Sequence, residues 1–170
     1  MKFANHVKSA MVAAVVLALG LAFAPSTASA YSNTQTASMA VSATVNSNCA
    51  ISAGALAFGS YSGSALTSTS TVSVTCTNTT AYAVGLNAGT GSSATVTNRL
   101  MTLASGTQTL GYGLYQDSGH ATNWGNATGA WESGTGSGAA QTLTIYGQVP
   151  ASQYPTPGSY SDTITVTVNY

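Results

Sequence analysis

Lysine is absent from this 170-residue chain beyond residue 8. Charge of either sign is scarce: charged residues make up 4% of the sequence, and past residue 30 only Arg99, Asp117, Glu132 and Asp162 remain. One cation against three anions argues against a nucleic-acid partner, because phosphate contacts need a basic surface. Binding to anionic lipid is disfavoured for the same reason. Histidine is nearly missing as well. His120 is the only one past residue 30, too few for a copper or zinc site on a β scaffold. The lack of lysine has a second meaning. A β-rich protein normally blunts its free sheet edges with lysine or proline so that they do not pair with other molecules.

What the chain keeps instead is an amphipathic strand near its start. Residues 35–45 alternate almost without fault. Ala37, Met39, Val41, Ala43 and Val45 fall on one side of an extended segment, with Thr36, Ser38, Ala40, Ser42 and Thr44 on the other. An alternating strand at the beginning of a lysine-free mature chain suits a subunit that pairs edges and donates a strand to a neighbour.

Upstream of that strand lies an export signal, residues 1–30. Lys2 and Lys8 form a basic n-region, Met11 to Ala24 is apolar, and Pro25 breaks the run. Ala28-Ser29-Ala30 then offers the small-x-small pattern of a signal-peptidase site. The apolar run is short for a bilayer span, so no stable membrane insertion is expected after cleavage. The mature chain divides into a donor segment, 31–47, and a single domain, 48–170.

Two cysteines remain in the mature chain, Cys49 and Cys76. An even count in an exported protein reads as a disulfide. No CxxC pair supports a metal or redox reading. Closing a loop of this length stabilises a domain by about 3–4 kcal/mol on the chain-entropy model.

The remaining apolar residues alternate in short runs separated by Gly, Ser, Asn and Pro. These predict strands over Cys49–Phe58 (interrupted near Gly54), Thr71–Thr77, Ala81–Ala88, Arg99–Leu103, Thr109–Gln116, Gln141–Val149 and Ser159–Tyr170. No mature segment has a helical period. The expected fold is an all-β, immunoglobulin-like sandwich. Asp117–Ala140 breaks the rhythm and reads as a long loop carrying Trp124 and Trp131. Two tryptophans there suit either a sugar platform or a packing role, capping the end of the sandwich or meeting a neighbouring subunit, and the packing role is the favoured reading.

Catalysis has little to work with. Asp117 and Glu132 are the only acids that share a segment, and a Gly-rich loop is a poor scaffold for a fixed carboxylate pair. A Ser–His–acid triad would have to use His120, with no nucleophile elbow around any serine. No cofactor is expected. Arg99 reads as a solvated or locally paired charge, and Asp162 as a structural acceptor for a neighbouring turn.

Read in order, several stretches resemble one family. They are Val45-Asn46-Ser47-Asn48-Cys49, Leu56-Ala57-Phe58-Gly59-Ser60-Tyr61, Val72-Ser73-Val74-Thr75-Cys76 and Leu110-Gly111-Tyr112-Gly113-Leu114-Tyr115-Gln116-Asp117. Trp124-Gly125, Tyr146-Gly147-Gln148-Val149-Pro150 and Gly158-Ser159-Tyr160-Ser161-Asp162 through Tyr170 complete the set. The mature chain resembles the spore coat protein U family, which includes the subunits of archaic chaperone–usher pili. The resemblance implies an immunoglobulin-like sandwich that lacks its final strand and is completed by the N-terminal donor strand of a neighbouring subunit. It implies an acceptor groove beside the last strand, at Ile164, Val166, Val168 and Tyr170. It also implies three partners: identical subunits, a periplasmic chaperone and an outer-membrane usher. The expected destination is the surface of a Gram-negative bacterium, in a pilus serving adhesion and biofilm formation. The alternatives are a spore-coat component and a secreted carbohydrate-binding module using Trp124 and Trp131.

Overall fold

The computed structural model describes residues 33–170. The export signal expected over 1–30 lies outside the described residues. The chain divides into two units, Met1–Ser42 and Ala43–Tyr170. In the first, the described residues have no regular secondary structure and are exposed. The second is all-β: nine strands and no helix among the described residues.

The strands are β1 (Cys49–Ala53), β2 (Leu66–Cys76), β3 (Ala81–Leu86), β4 (Arg99–Leu103), β5 (Thr109–Tyr115), β6 (Glu132–Thr135), β7 (Gln141–Val149), β8 (Tyr160–Ser161) and β9 (Val166–Asn169). They form a six-stranded sheet, β1-β2-β7-β5-β4-β8, and a three-stranded sheet, β6-β3-β9. All the pairings are antiparallel. The core sits between the sheets. Alternation delivers it: Val72, Val74 and Cys76 of β2, Leu110, Tyr112 and Leu114 of β5, and Ile145 and Val149 of β7 point inward toward Tyr82, Val84 and Leu86 of β3. The β-branched Thr and Val between and among them suit a half-buried pleated surface. Cys49 and Cys76 stand opposite each other in the β1–β2 register and are bonded. An all-β sandwich-like fold is thus what the sequence predicts and what forms.

The first strand ends at Ala53, short of the predicted Phe58, and three other details depart from the sequence reading. First, β2 begins at Leu66, five residues earlier than predicted, because β7 pairs with the polar stretch Thr67–Thr71 as readily as with the valines. Second, the segment 117–140 contains β6, which pairs with β3 in a register setting Gly134 opposite Tyr82. Its sequence, Glu-Ser-Gly-Thr, carries no apolar alternation, so backbone pairing alone makes it a strand.

Third, the predicted C-terminal strand is two strands in two sheets. β8 pairs with β4, and β9 pairs with β3. The chain crosses between the sheets over residues 162–165. The crossing has no ladder of its own. The Asp162 carboxylate accepts from Thr90 N at 2.7 Å and from Thr163 N at 2.7 Å. Asn87 Oδ1 accepts from Thr165 N at 2.9 Å. Gly89 lies against Asp162 with φ of 87°, so a side chain there would be strained and would strike the carboxylate.

Candidate functional site

The sheets do not close along one side. β1 leaves the six-stranded sheet at Gly54, so only Val72–Cys76 of β2 have a partner there. The chain then runs on without pairing, yet Leu56 and Phe58 still pack against the core. On the other side, the crossing at 162–165 leads into β9, whose only partner among the described residues is β3. Between these two rims lies a groove of about 1110 Å³. Leu110, Tyr112 and Leu114 of β5 and Ile145 and Val149 of β7 reach it from the core. Leu56 and Phe58 form one rim, and Ile164 and Val166 the other. Tyr154, Pro155 and Thr156 stand at one end. Phe58 meets Tyr112 edge-on, with ring centroids 6.0 Å apart. A Cβ on Gly147 would lie 2.9 Å from Leu56 Cδ1 and from Phe58 Cζ, so glycine lets that rim lie close over β7.

The groove is apolar but its floor is anchored by polar bonds. The Tyr112 hydroxyl donates to Asp162 Oδ2 at 2.7 Å. Thr90 Oγ1 donates to Asp162 Oδ1 at 2.8 Å. Burial alone would raise the Asp162 carboxyl; the bonds from Thr90, Tyr112 and Thr163 outweigh it and hold the group below the ordinary carboxylate range. Burial and the bond to Asp162 push the Tyr112 phenol well above its ordinary value. The expectation that Asp162 is a structural acceptor holds, with Tyr112 as a partner beyond the neighbouring turn.

Arg99 overturns its sequence reading. It is neither solvated nor paired with an acid: it is fully buried. Its guanidinium donates to four backbone carbonyls, Nε to Asn87 at 2.9 Å, Nη1 to Val96 at 2.7 Å, and Nη2 to Leu86 at 3.0 Å and Trp124 at 2.6 Å. Burial lowers its pKa, opposed by the fields of Tyr112 and Asp162. The planar fork gathers carbonyls from three segments that the strand ladders leave free. No local sequence signal distinguishes such an arginine from a surface one.

The two tryptophans have different environments. Trp124 is fully buried, and its indole Nε1 donates to Val84 O at 2.8 Å. It belongs to the core cluster of the sandwich. Trp131 is half-buried and packs against Gly85 of β3. No paired sugar platform exists.

Asp117 and Glu132 are held in separate local structures. Hydrogen bonds from Thr122 N at 2.6 Å and Ala121 N at 3.2 Å fold Asp117 into its own turn and hold its carboxyl below the ordinary range. Glu132 lies on β6, opposite Val84. His120 packs edge-on against Tyr115, with centroids 5.2 Å apart. Among the described residues, no group of three or more His, Cys, Asp or Glu side chains could hold a metal ion, and no helix is long and apolar enough to cross a membrane.

The predicted donor and acceptor residues are distributed as follows. Met39, Val41 and Val45 are 84%, 83% and 86% exposed, and Ala37 and Ala43 are exposed too. Ile164 and Val166 line the groove. Val168 is half-buried against the core beyond the groove, and Tyr170 is 59% exposed. Sequence reasoning missed the other rim, Leu56 and Phe58, together with Gln153 at the groove's end. The break at Gly54 was the signal for the rim.

Comparison with known proteins agrees with this architecture. The family model of the Spore Coat Protein U domain matches residues 35–167. The chain is 35% identical over 78 residues to "Protein U" of Myxococcus xanthus, covering 46% of this chain and 44% of that one. Among solved structures it is similar to a chain of the CsuC-CsuE chaperone–tip adhesion subunit pre-assembly complex from the archaic chaperone-usher Csu pili of Acinetobacter baumannii. That match has a TM-score of 0.56 and 25% identity, and covers 75% of this chain and 41% of that one. The chain therefore spans less than half the length of either relative. With the family model matching most of the chain, residues 35–167, this chain belongs to the Spore Coat Protein U domain family.

Proposed function

We propose that this protein is a structural, non-enzymatic subunit of a pilus-type surface polymer, assembled by donor-strand exchange. The observation that carries the reading is the open apolar groove between the sheets, between the Leu56–Phe58 rim and the Ile164–Val166 rim. A sandwich with such an opening has core residues of β5 and β7 lining an unfilled space between its sheets, and it gains from an added strand. The same chain offers a strand of matching chemistry: Met39, Val41 and Val45 are exposed and in phase. Each contributes about 1.5–3 kcal/mol when fully buried. The backbone ladder along the free edge of β9 adds to that. Residues 35–45 of one subunit fill the groove of the next, and repetition gives a homopolymer. Before assembly a periplasmic chaperone covers the groove, and an outer-membrane usher exchanges its strand for the incoming donor. The similarity to a chaperone–subunit complex supports these partners. The polymer stands at the bacterial surface, where it serves adhesion and biofilm formation.

A synthetic peptide of residues 35–47 tests the reading. Added during refolding of the subunit, it should form a one-to-one complex with a raised melting temperature. A scrambled peptide of equal composition should not. Equal effects of both peptides, or none from either, would reject donor-strand exchange.

A further inference from the structure

The end of the groove is built in an unusual way. β5 and β7 pair from Tyr115↔Tyr146 through Gly113↔Gln148. Carried on, that register would set Gly111 opposite Pro150, which has no N–H to give. β7 ends at Val149. Gly111 is nevertheless paired on both its polar groups, by a side chain. Gln153 Oε1 accepts from Gly111 N at 2.8 Å, and Gln153 Nε2 donates to Gly111 O at 2.9 Å. The amide of Gln153 thus makes the same two bonds a strand residue would make. Its Nε2 also reaches Pro150 O at 3.2 Å.

The backbone around Gln153 is tied down as well. Gln153 N donates to the Tyr61 hydroxyl at 3.0 Å, and that hydroxyl donates to Pro150 O at 2.8 Å. Ser152 N donates to Gly63 O at 2.9 Å, with Ser152 itself at a φ of 64°. The next residues, Tyr154, Pro155 and Thr156, line the groove, and Tyr154 is 89% exposed. An exposed tyrosine and a proline thus line the groove on a segment held by the Gln153 amide, the Tyr61 hydroxyl and the Ser152–Gly63 bond.

We propose that Gln153 is a positioning residue of the groove: its amide replaces the missing β7 rung on Gly111 and fixes residues 150–156 as an end wall that contacts one end of the incoming strand. This rests on the donor-strand reading and adds to it a determinant of strand length and register. Tyr154 and Pro155 are the contact surface, and Gln153 acts through them.

The test uses the peptide of residues 35–47 and two shortened forms, each lacking three residues at one end. Release rates from the subunit are measured for wild type, Gln153→Ala and the isosteric Gln153→Glu, which keeps volume and loses the donor. With wild type, shortening at one end should speed release strongly, through loss of the end-wall contact. In both variants the full-length peptide should leave about tenfold faster, the change expected for one net hydrogen bond's worth of positioning. The shortening penalty at that end should vanish, while the penalty at the other end stays. A variant that merely loosens the fold would speed all three peptides equally, and that result would overturn the proposal. So would unchanged release in both variants. Failure of wild type to bind any peptide would instead reject the donor-strand reading.

Discussion

The Tyr112 hydroxyl, on β5 of the larger sheet, donates to Asp162 Oδ2 at 2.7 Å, on the crossing that leads into the smaller one. This bond fixes the floor of the groove to the rim beside it. The other carboxylate oxygen holds Thr90 and Thr163, so one side chain ties together three segments distant in sequence. Asp162→Asn should destabilise the subunit by about 1–3 kcal/mol, the cost of leaving donors poorly satisfied. Tyr112→Phe should cost about 1 kcal/mol. Urea unfolding of the two single variants and the double variant measures both. Additive losses would show that the bond couples nothing.

The same carboxylate predicts a pH dependence. Asp162 and Asp117 both have folded-state pKa values below their ordinary ones. Their contribution is present above the unfolded carboxylate range, near pH 4, and is lost as pH falls through the folded values. Tyr112 acts at the other end: its raised pKa favours the folded state below about pH 10, and that contribution fades as pH rises further. Urea midpoints from pH 2 to 7 should therefore fall in acid, and less steeply for Asp162→Asn. Parallel curves for wild type and variant would contradict the assignment.

Arg99 predicts resistance to trypsin. It is the only Lys or Arg beyond residue 8, and it is fully buried with its guanidinium bound to four carbonyls. The folded subunit should survive trypsin in native buffer. In denaturant it should be cut once beyond residue 8, after Arg99, giving two large fragments visible by mass spectrometry. Cleavage at Arg99 in native buffer as fast as in denaturant would refute the burial. Arg99→Lys should still cost about 3 kcal/mol or more, because an ammonium cannot span the carbonyl positions that the guanidinium fork reaches.

Trp124 and Trp131 separate a cap from a sugar platform. Trp124→Ala removes a fully buried indole and its bond to Val84 O, at a cost of about 3–5 kcal/mol. Trp131→Ala, on a half-buried side chain, should cost less. Melting temperatures rank the two. Glycan binding by wild type that disappears in a well-folded Trp131 variant would run against a structural role.

The strands were legible because their inward residues alternate. Val72, Val74 and Cys76, or Leu110, Tyr112 and Leu114, need only the two-residue period of a pleated strand to be placed. The elements that escaped lack that signal. β6 is held by pairing to β3 rather than by its own apolar residues. The C-terminal strand keeps its alternation through Ile164, so periodicity alone hides the change of sheet. Arg99 is buried against carbonyls that become neighbours only after folding, and Gln153 reaches a glycine 42 positions away. Partnerships between a side chain and a distant backbone leave no trace in local pattern.

The donor strand is the central claim, and one pair of variants tests it most directly. Val41 lies mid-segment on the apolar side, and Ser42 is its outward neighbour. Val41→Asp would place a carboxylate in an apolar groove, at a cost of several kcal/mol. Ser42→Asp would alter only the solvent face. The measurement is polymer length, by electron microscopy and by the ladder of heat-sensitive multimers on a gel. Val41→Asp should be exported, disulfide-bonded and chaperone-bound at near-normal levels, yet form no long polymers, while Ser42→Asp polymerises almost normally. Normal polymers from Val41→Asp, or equal damage from both changes, would contradict residues 35–45 as the donor strand.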